Sequence, residues 1–307
     1  MTLSMPSNIE LRSTVDCLWP ANAQLGEGLV YQSSEKRLWF IDIKQPRLFC
    51  YSLNDAAQRT YPLPTQVSAL ALPPQGWRPA VTGETVLLSV GALGFAWLAV
   101  NDGTVTLHPI TDPEADLPGN RFNDGKIGPD GRFYAGTMDE SETEASGAFY
   151  VLDANGKTAR LDTGYRVTNG PAFSPDGRVI YHNDSALRRT YAFDLDASGA
   201  VSGKRLFHAH DENGGYPDGM TTDGDGNLFV AMWDGRRIQR LDAAGGVTGY
   251  IPVPVHRPTT CVFIEPGTLA FTSAAAGLDA PSPARRWIIL RKILNFNSGG
   301  RARVPEA

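Results

Sequence analysis

Six segments of the chain repeat one pattern: a turn, then a small polar residue or arginine, then an apolar triplet. They read SEKRLWF, GETVLLS, PDGRFYA, PDGRVIY, GDGNLFV and EPGTLAF, and their first apolar residues are Leu38, Val86, Phe133, Val179, Leu228 and Leu269. The successive gaps are 48, 47, 46, 49 and 41 residues. A period of roughly 40–50 residues with several short strands per repeat is the sequence signature of a β-propeller. The pattern predicts an all-β chain folded as a six-bladed β-propeller. A pair of β-sandwiches has no reason to repeat at this period. A length of 307 residues alone points to two domains. The period replaces that with one propeller domain over residues 15–294 and an atypical basic tail over 295–307.

Composition agrees and excludes other classes. Gly 32 and Pro 22 are costly inside helices and suited to turns. Asp-Gly begins at 102, 124, 130, 176, 218, 223, 225 and 234 and Asn-Gly at 155, 169 and 213, the pairs favoured in two-residue hairpin turns. A net charge of −5 argues against nucleic acid or an anionic membrane as partner. Cys17, Cys50 and Cys261 lie far apart with no C-x-x-C pair, against a cysteine-based zinc site or a disulfide framework. His208 and His210, in HAHDENG, read as a solvated loop. The N-terminal MTLSMPSNIELRS has no apolar stretch flanked by basic residues, and no run of 18 apolar residues exists. With unpaired cysteines, this predicts a cytoplasmic protein.

Ten or eleven residues before four of the aligned positions stand Glu27, Asn123, Asn169 and Asp218, each followed at once or one residue later by Gly. Equivalent positions in successive blades are related by rotation about one axis. If these positions begin the innermost strands, two carboxylates and two amides converge at one end of the channel. Hard divalent cations take such oxygen donors. An Asx before Gly is also an ordinary turn residue, and Glu27 alone could be a surface carboxylate. Four in register across four repeats favour a shared channel site.

At these residues the sequence resembles the SMP-30/gluconolactonase/luciferin-regenerating family, which includes regucalcin and bacterial sugar-acid lactonases. The resemblance covers about residues 15–275. It rests on LGEG (25–28), LWFIDIKQPRL (38–48), RFNDGKIGPDGRFYAGTM (121–138), TNGPAFSPDGRVIYHNDS (168–185), PDGMTTDGDGNLFVAMWDGRRIQRLD (217–242) and TTCVF (259–263). It implies a six-bladed propeller with one divalent metal in the channel (Ca, Zn, Mg, Mn or Fe), held by Glu27, Asn169 and Asp218. It further implies substrate contacts from Arg121 and Asn123, and hydrolysis of an aldonolactone such as a glucono-, xylono- or arabinonolactone. Asp218 is the candidate to accept a proton from the attacking water while ligating the metal.

Three departures from the family pattern stand out. Leu29 and Tyr31 follow LGEG, where Pro and then His or Trp are usual. The stretch DESETEASG carries Asp139, Glu140, Glu142 and Glu144, and Glu140 is the residue best placed to reach substrate. Residues 281–307 hold six Lys/Arg and one Glu, a local charge of +5. WIILRKI within them could still supply a strand to the last blade. The rival readings are a non-sugar ester or organophosphate hydrolase on the same scaffold and a non-enzymatic calcium-binding propeller.

Overall fold

Short β-rich runs bounded by turn residues fold into antiparallel hairpins. In the computed structural model, which describes residues 10, 11, 13–278 and 288–293, they build 24 strands in six four-stranded sheets. β1 (Ser13–Trp19) comes first, followed by a sheet of β2 (Gly26–Gln32), β3 (Arg37–Asp42), β4 (Arg47–Ser52) and β5 (Gln58–Pro62) in that spatial order. The same up-and-down order recurs from β6 (Val67–Ala71) to β9 (Thr104–Thr111) and from β10 (Asn120–Ile127) to β13 (Thr158–Tyr165). It recurs again from β14 (Thr168–Phe173) to β17 (Val201–Ala209) and from β18 (Tyr216–Thr222) to β21 (Val247–Pro252). This is a β-propeller arrangement.

The strand order corrects the expectation of a six-bladed propeller. Five blades consist of four consecutive strands each. The remaining sheet is a composite in the order β1-β24-β23-β22, with β22 (Arg257–Glu265), β23 (Thr268–Ala274) and β24 (Ile288–Ile293). Its cause lies in the sequence: the repeat pattern ends near residue 275, and the two outer places of this sheet go to strands from the two ends of the chain. The backbone of Ile288–Ile293, inside WIILRKI, pairs with both β1 and β23. The basic tail at 295–307 lies outside the described residues.

The aligned apolar residues occupy the second strand of each sheet. Leu38, Phe133, Leu228 and Leu269 are fully buried there, each side chain contributing roughly 1.5–3 kcal/mol by leaving water. Facing sheets share the core, as where Trp39, Leu48, Leu70 and Leu87 pack between the first two blades. Asp102 and Gly103 both have positive φ (48° and 78°), as a two-residue hairpin turn requires. Asp124-Gly125, Asn169-Gly170 and Asp218-Gly219 are not hairpin turns; they lie inside strands. Among the described residues no helix is long and apolar enough to cross a membrane.

Candidate metal and substrate site

In each sheet the strand that leads into the aligned apolar strand breaks register: between Glu27 and Val30, Val67 and Ala69, Phe122 and Asp124, Asn169 and Ala172, Pro217 and Met220, and Pro258 and Cys261, with a second break in β22 between Phe263 and Glu265. A bulge leaves residues unpaired and re-aims their side chains. Glu27, Asn123, Asn169 and Asp218 all sit at these breaks. The neighbouring glycines let adjacent inner strands touch. A Cβ on Gly170 (φ 25°) would stand 2.8 Å from the Met220 nitrogen, and one on Gly219 would stand 2.4 Å from Thr260 Oγ1. Gly is therefore required there by close approach of neighbouring strands.

One chain of hydrogen bonds joins three of these strands, β10, β14 and β18, and its polarity is fixed by its first member. Arg121 can only donate. Its Nη1 donates to Asn123 Oδ1 at 2.8 Å. Asn123 must therefore turn Nδ2 onward, to Asn169 Oδ1 at 3.0 Å and to the Thr168 carbonyl at 2.7 Å. Asn169 Nδ2 donates in turn to Ser185 Oγ at 2.9 Å, and Ser185 donates to the Pro217 carbonyl at 2.5 Å. The chain ends beside Asp218. Asn169 Oδ1 keeps one lone pair for a further partner.

Glu27 and Asp218 are each 6% exposed, and neither forms an ion pair among the described residues. Burial raises the Glu27 carboxyl well above its ordinary range, with the negative charges of Asp218 and Asp124 adding to the effect. Burial and then Asp124 do the same to Asp218. Asp124 is itself buried; its carboxylate accepts from Gly125 N at 2.7 Å and from Gly170 N at 2.7 Å. Burial raises its pKa while the charge of Lys126 opposes the rise. Buried carboxylates with so little positive charge beside them fit a cation, and two carboxylates plus an amide oxygen suit a hard divalent one. Among the described residues no three His, Cys, Asp or Glu side chains are grouped to hold a metal, so any ion here depends on the Asn169 oxygen as well.

Arg121 is the link to the mouth of the channel. It also donates to the Phe122 carbonyl at 3.0 Å and pairs through Nε with Glu140. Glu140 follows β11 (Phe133–Asp139) in a turn that Asp139 organises by accepting from Ser141, Thr143 and Glu144. Lys44, from the turn between β3 and β4, meets the other Glu140 oxygen at 2.8 Å. Burial disfavours charge on Glu140, but Lys44 and Arg121 outweigh it and hold its pKa below the usual range.

Sequence reasoning passed over Asp124, Lys126, Ser185 and Lys44. Asp124 and Lys126 stand inside the RFNDGK motif itself, and Ser185 closes the HNDS motif, so a signal was present for these three. Lys44 had none, since its partner is 96 residues away. His208 and His210 are corrected: they are not in a solvated loop. His208 is in β17, and His210 is buried with Nε2 2.8 Å from Thr190 Oγ1. Thr190 donates to Asn183 Oδ1 at 2.6 Å, and Asn183 Nδ2 donates to the Asp218 carbonyl at 2.7 Å. A buried polar network therefore leads from His210 to the backbone of Asp218.

Residues 25–275 match the family model described as SMP-30/Gluconolactonase/LRE-like region. The chain is 31% identical to regucalcin of Oryctolagus cuniculus over 89% of its own length and 90% of the relative's. It is 32% identical to L-arabinolactonase of Azospirillum brasilense over 83% of its own length and 82% of the relative's. The crystal structure of a calcium-binding protein, regucalcin, from Agrobacterium tumefaciens superimposes with a TM-score of 0.81 at 27% identity, covering 90% of this chain and 92% of that one.

Proposed function

The chain belongs to the SMP-30/gluconolactonase/LRE-like family, and from that membership we propose that it is a divalent-metal-dependent hydrolase that opens a sugar-acid lactone to the free aldonic acid. The observation that carries the reading is the pairing, at one end of the channel, of two buried carboxylates lacking ion pairs with an arginine–asparagine pair that a bare ion site does not need. The L-arabinolactonase relative supports lactone chemistry and the five-carbon end of the substrate range. The calcium-binding relative supports a divalent ion, with calcium the first to test.

Glu27, Asn169 and Asp218 are the residues that hold the cation. When bound, it supplies electrostatic stabilisation for the negative charge that develops on the lactone carbonyl oxygen. The protein side chains do the rest. Arg121 and Asn123 orient ring hydroxyls through their remaining hydrogen-bonding capacity, and Glu140 accepts from a hydroxyl at the mouth. Such fixed, mutually bonded groups position a polar substrate that offers little apolar area. Asp218 takes the proton of the attacking water as its oxygen bonds to the carbonyl carbon. The ring C–O bond then breaks, and the same carboxyl returns the proton to the departing hydroxyl oxygen.

The test is a pH-stat panel of aldonolactones on chelator-stripped protein, with Ca²⁺, Mg²⁺, Mn²⁺, Zn²⁺ or Fe²⁺ added back and a no-enzyme control. Activity should vanish on stripping, return with at least one ion and fall by about 100-fold or more in Asp218→Ala. Full turnover by stripped protein overturns the metal requirement. Indifference to every sugar lactone overturns the substrate class.

A further inference from the structure

Strand β10 enters the channel between its neighbours and makes bonds to both inner strands that follow it. Asn123 bonds Asn169 directly. One residue on, the Asp124 carboxylate accepts the N–H of Gly170, the residue after Asn169, at 2.7 Å. Two residues further, Lys126 Nζ donates to the carbonyl of Met220, two residues after Asp218, at 2.6 Å. Each of these backbone groups lies in a bulge, between Asn169 and Ala172 or ending at Met220. A bulged backbone lacks the ladder bonds that fix an ordinary strand. Another partner must set its geometry.

We infer that Asp124 and Lys126 are positioning residues: they fasten the two bulges that carry Asn169 and Asp218 and so set where those two oxygen donors stand. The inference rests on the reading of the channel as a cation site. A partly buried lysine spends its Nζ on a backbone carbonyl while its charge offsets the burial of Asp124, so it serves the bulge as well as the carboxylate. Its charge alone would weaken binding of a cation nearby. The bond to Met220 therefore has to yield more in geometry than the charge costs in repulsion.

Charge and position predict opposite signs, which makes the idea testable with Mn²⁺ as the probe. Lys126→Met removes a positive charge and a backbone fastening. Asp124→Glu keeps the charge and moves the carboxylate off Gly170. Calorimetry on the stripped full-length protein should show Mn²⁺ binding weakened about 10-fold or more in both variants. Bound Mn²⁺ should also show a changed zero-field splitting in its paramagnetic resonance spectrum. Tighter binding in Lys126→Met with unchanged binding in Asp124→Glu means that only charge matters, and the inference is wrong. Either variant that keeps the native circular dichroism spectrum decides. Loss of that spectrum in both means that the residues hold the whole fold and not the donors, which also overturns it. A wild-type protein that binds no Mn²⁺ removes the cation reading and this inference together. Wild-type binding with variants no weaker removes only the inference.

Discussion

Asn123 Nδ2 donates to Asn169 Oδ1 at 3.0 Å, so the first amide decides which way the second one faces. Were the Asn169 amide reversed, its Nδ2 would oppose the Asn123 Nδ2, and Ser185 would meet an oxygen while its own proton is already given to Pro217. The pair thus ties the residue proposed to meet substrate to one proposed to hold the cation. Asn123→Ala should free the Asn169 amide and leave the Thr168 carbonyl unsatisfied, at a cost of about 1–3 kcal/mol. Urea unfolding measures that cost. Calorimetry should show cation binding weakened together with a raised KM, whereas a residue that touches only substrate would change KM alone.

Arg121→Lys provides the contrasting case. Lysine is a single point donor and cannot reproduce the planar fork that serves Glu140, the Phe122 carbonyl and Asn123 Oδ1 at once. Steady-state kinetics should show kcat/KM lowered about 10- to 100-fold. The cation affinity should change less than in Asn123→Ala.

The carboxyl groups predict a pH signature in stripped protein. Glu27 and Asp218 have folded-state pKa values above their ordinary 4.5 and 3.8. Between the ordinary and the raised values the folded chain binds more protons than the unfolded one, so stability falls as pH rises through that window. A bound cation removes the need for those protons. The thermal shift caused by a divalent ion should therefore be larger at pH 8 than at pH 5. A shift that shrinks as pH rises would remove this account of the pair.

His182 gives the opposite limb. It is fully buried, stacked on Phe149 at 4.1 Å, and neither ring nitrogen has a hydrogen-bond partner among the described residues. Burial lowers its pKa from 6.5 to about 3. Below 6.5 the unfolded chain takes a proton that the folded one refuses, so stability is lost as pH falls, by up to about 1.4 kcal/mol per pH unit. His182→Leu removes the unpartnered nitrogens and the titration. Its midpoint in urea should depend less on pH between 6.5 and 4 than that of the wild type.

The candidate site was legible where the repeat is regular. The ten-residue offset from the aligned apolar residue finds Asn123, Asn169 and Asp218, because the hairpin joining first and second strands is short in those blades. It fails in the second blade. There the hairpin between β6 and β7 (Thr85–Gly91) spans residues 72–84, and the channel-side Ser68 lies 18 residues before Val86. Ser68 nonetheless occupies the same bulge and donates to the Phe122 carbonyl at 2.9 Å. Thr259 stands at the right offset from Leu269, but a hydroxyl there carries no metal-binding signal in sequence. The composite sheet was out of reach for a different reason: pairing between residues near 16 and near 290 is not a local property, and no turn chemistry encodes it.

That sheet bears on how the fold closes. Its inner strand, β22, abuts the strand of Glu27, and Thr259 Oγ1 donates to the Gly26 carbonyl at 2.5 Å, one residue from the candidate ligand. The two bonded residues stand 233 apart in sequence, so that flank of Glu27 forms only by a long-range contact. A chain that has formed its five consecutive blades but has not docked β22 still lacks the flank beside Glu27. That end of the channel is then completed in a single closing event between segments far apart in sequence.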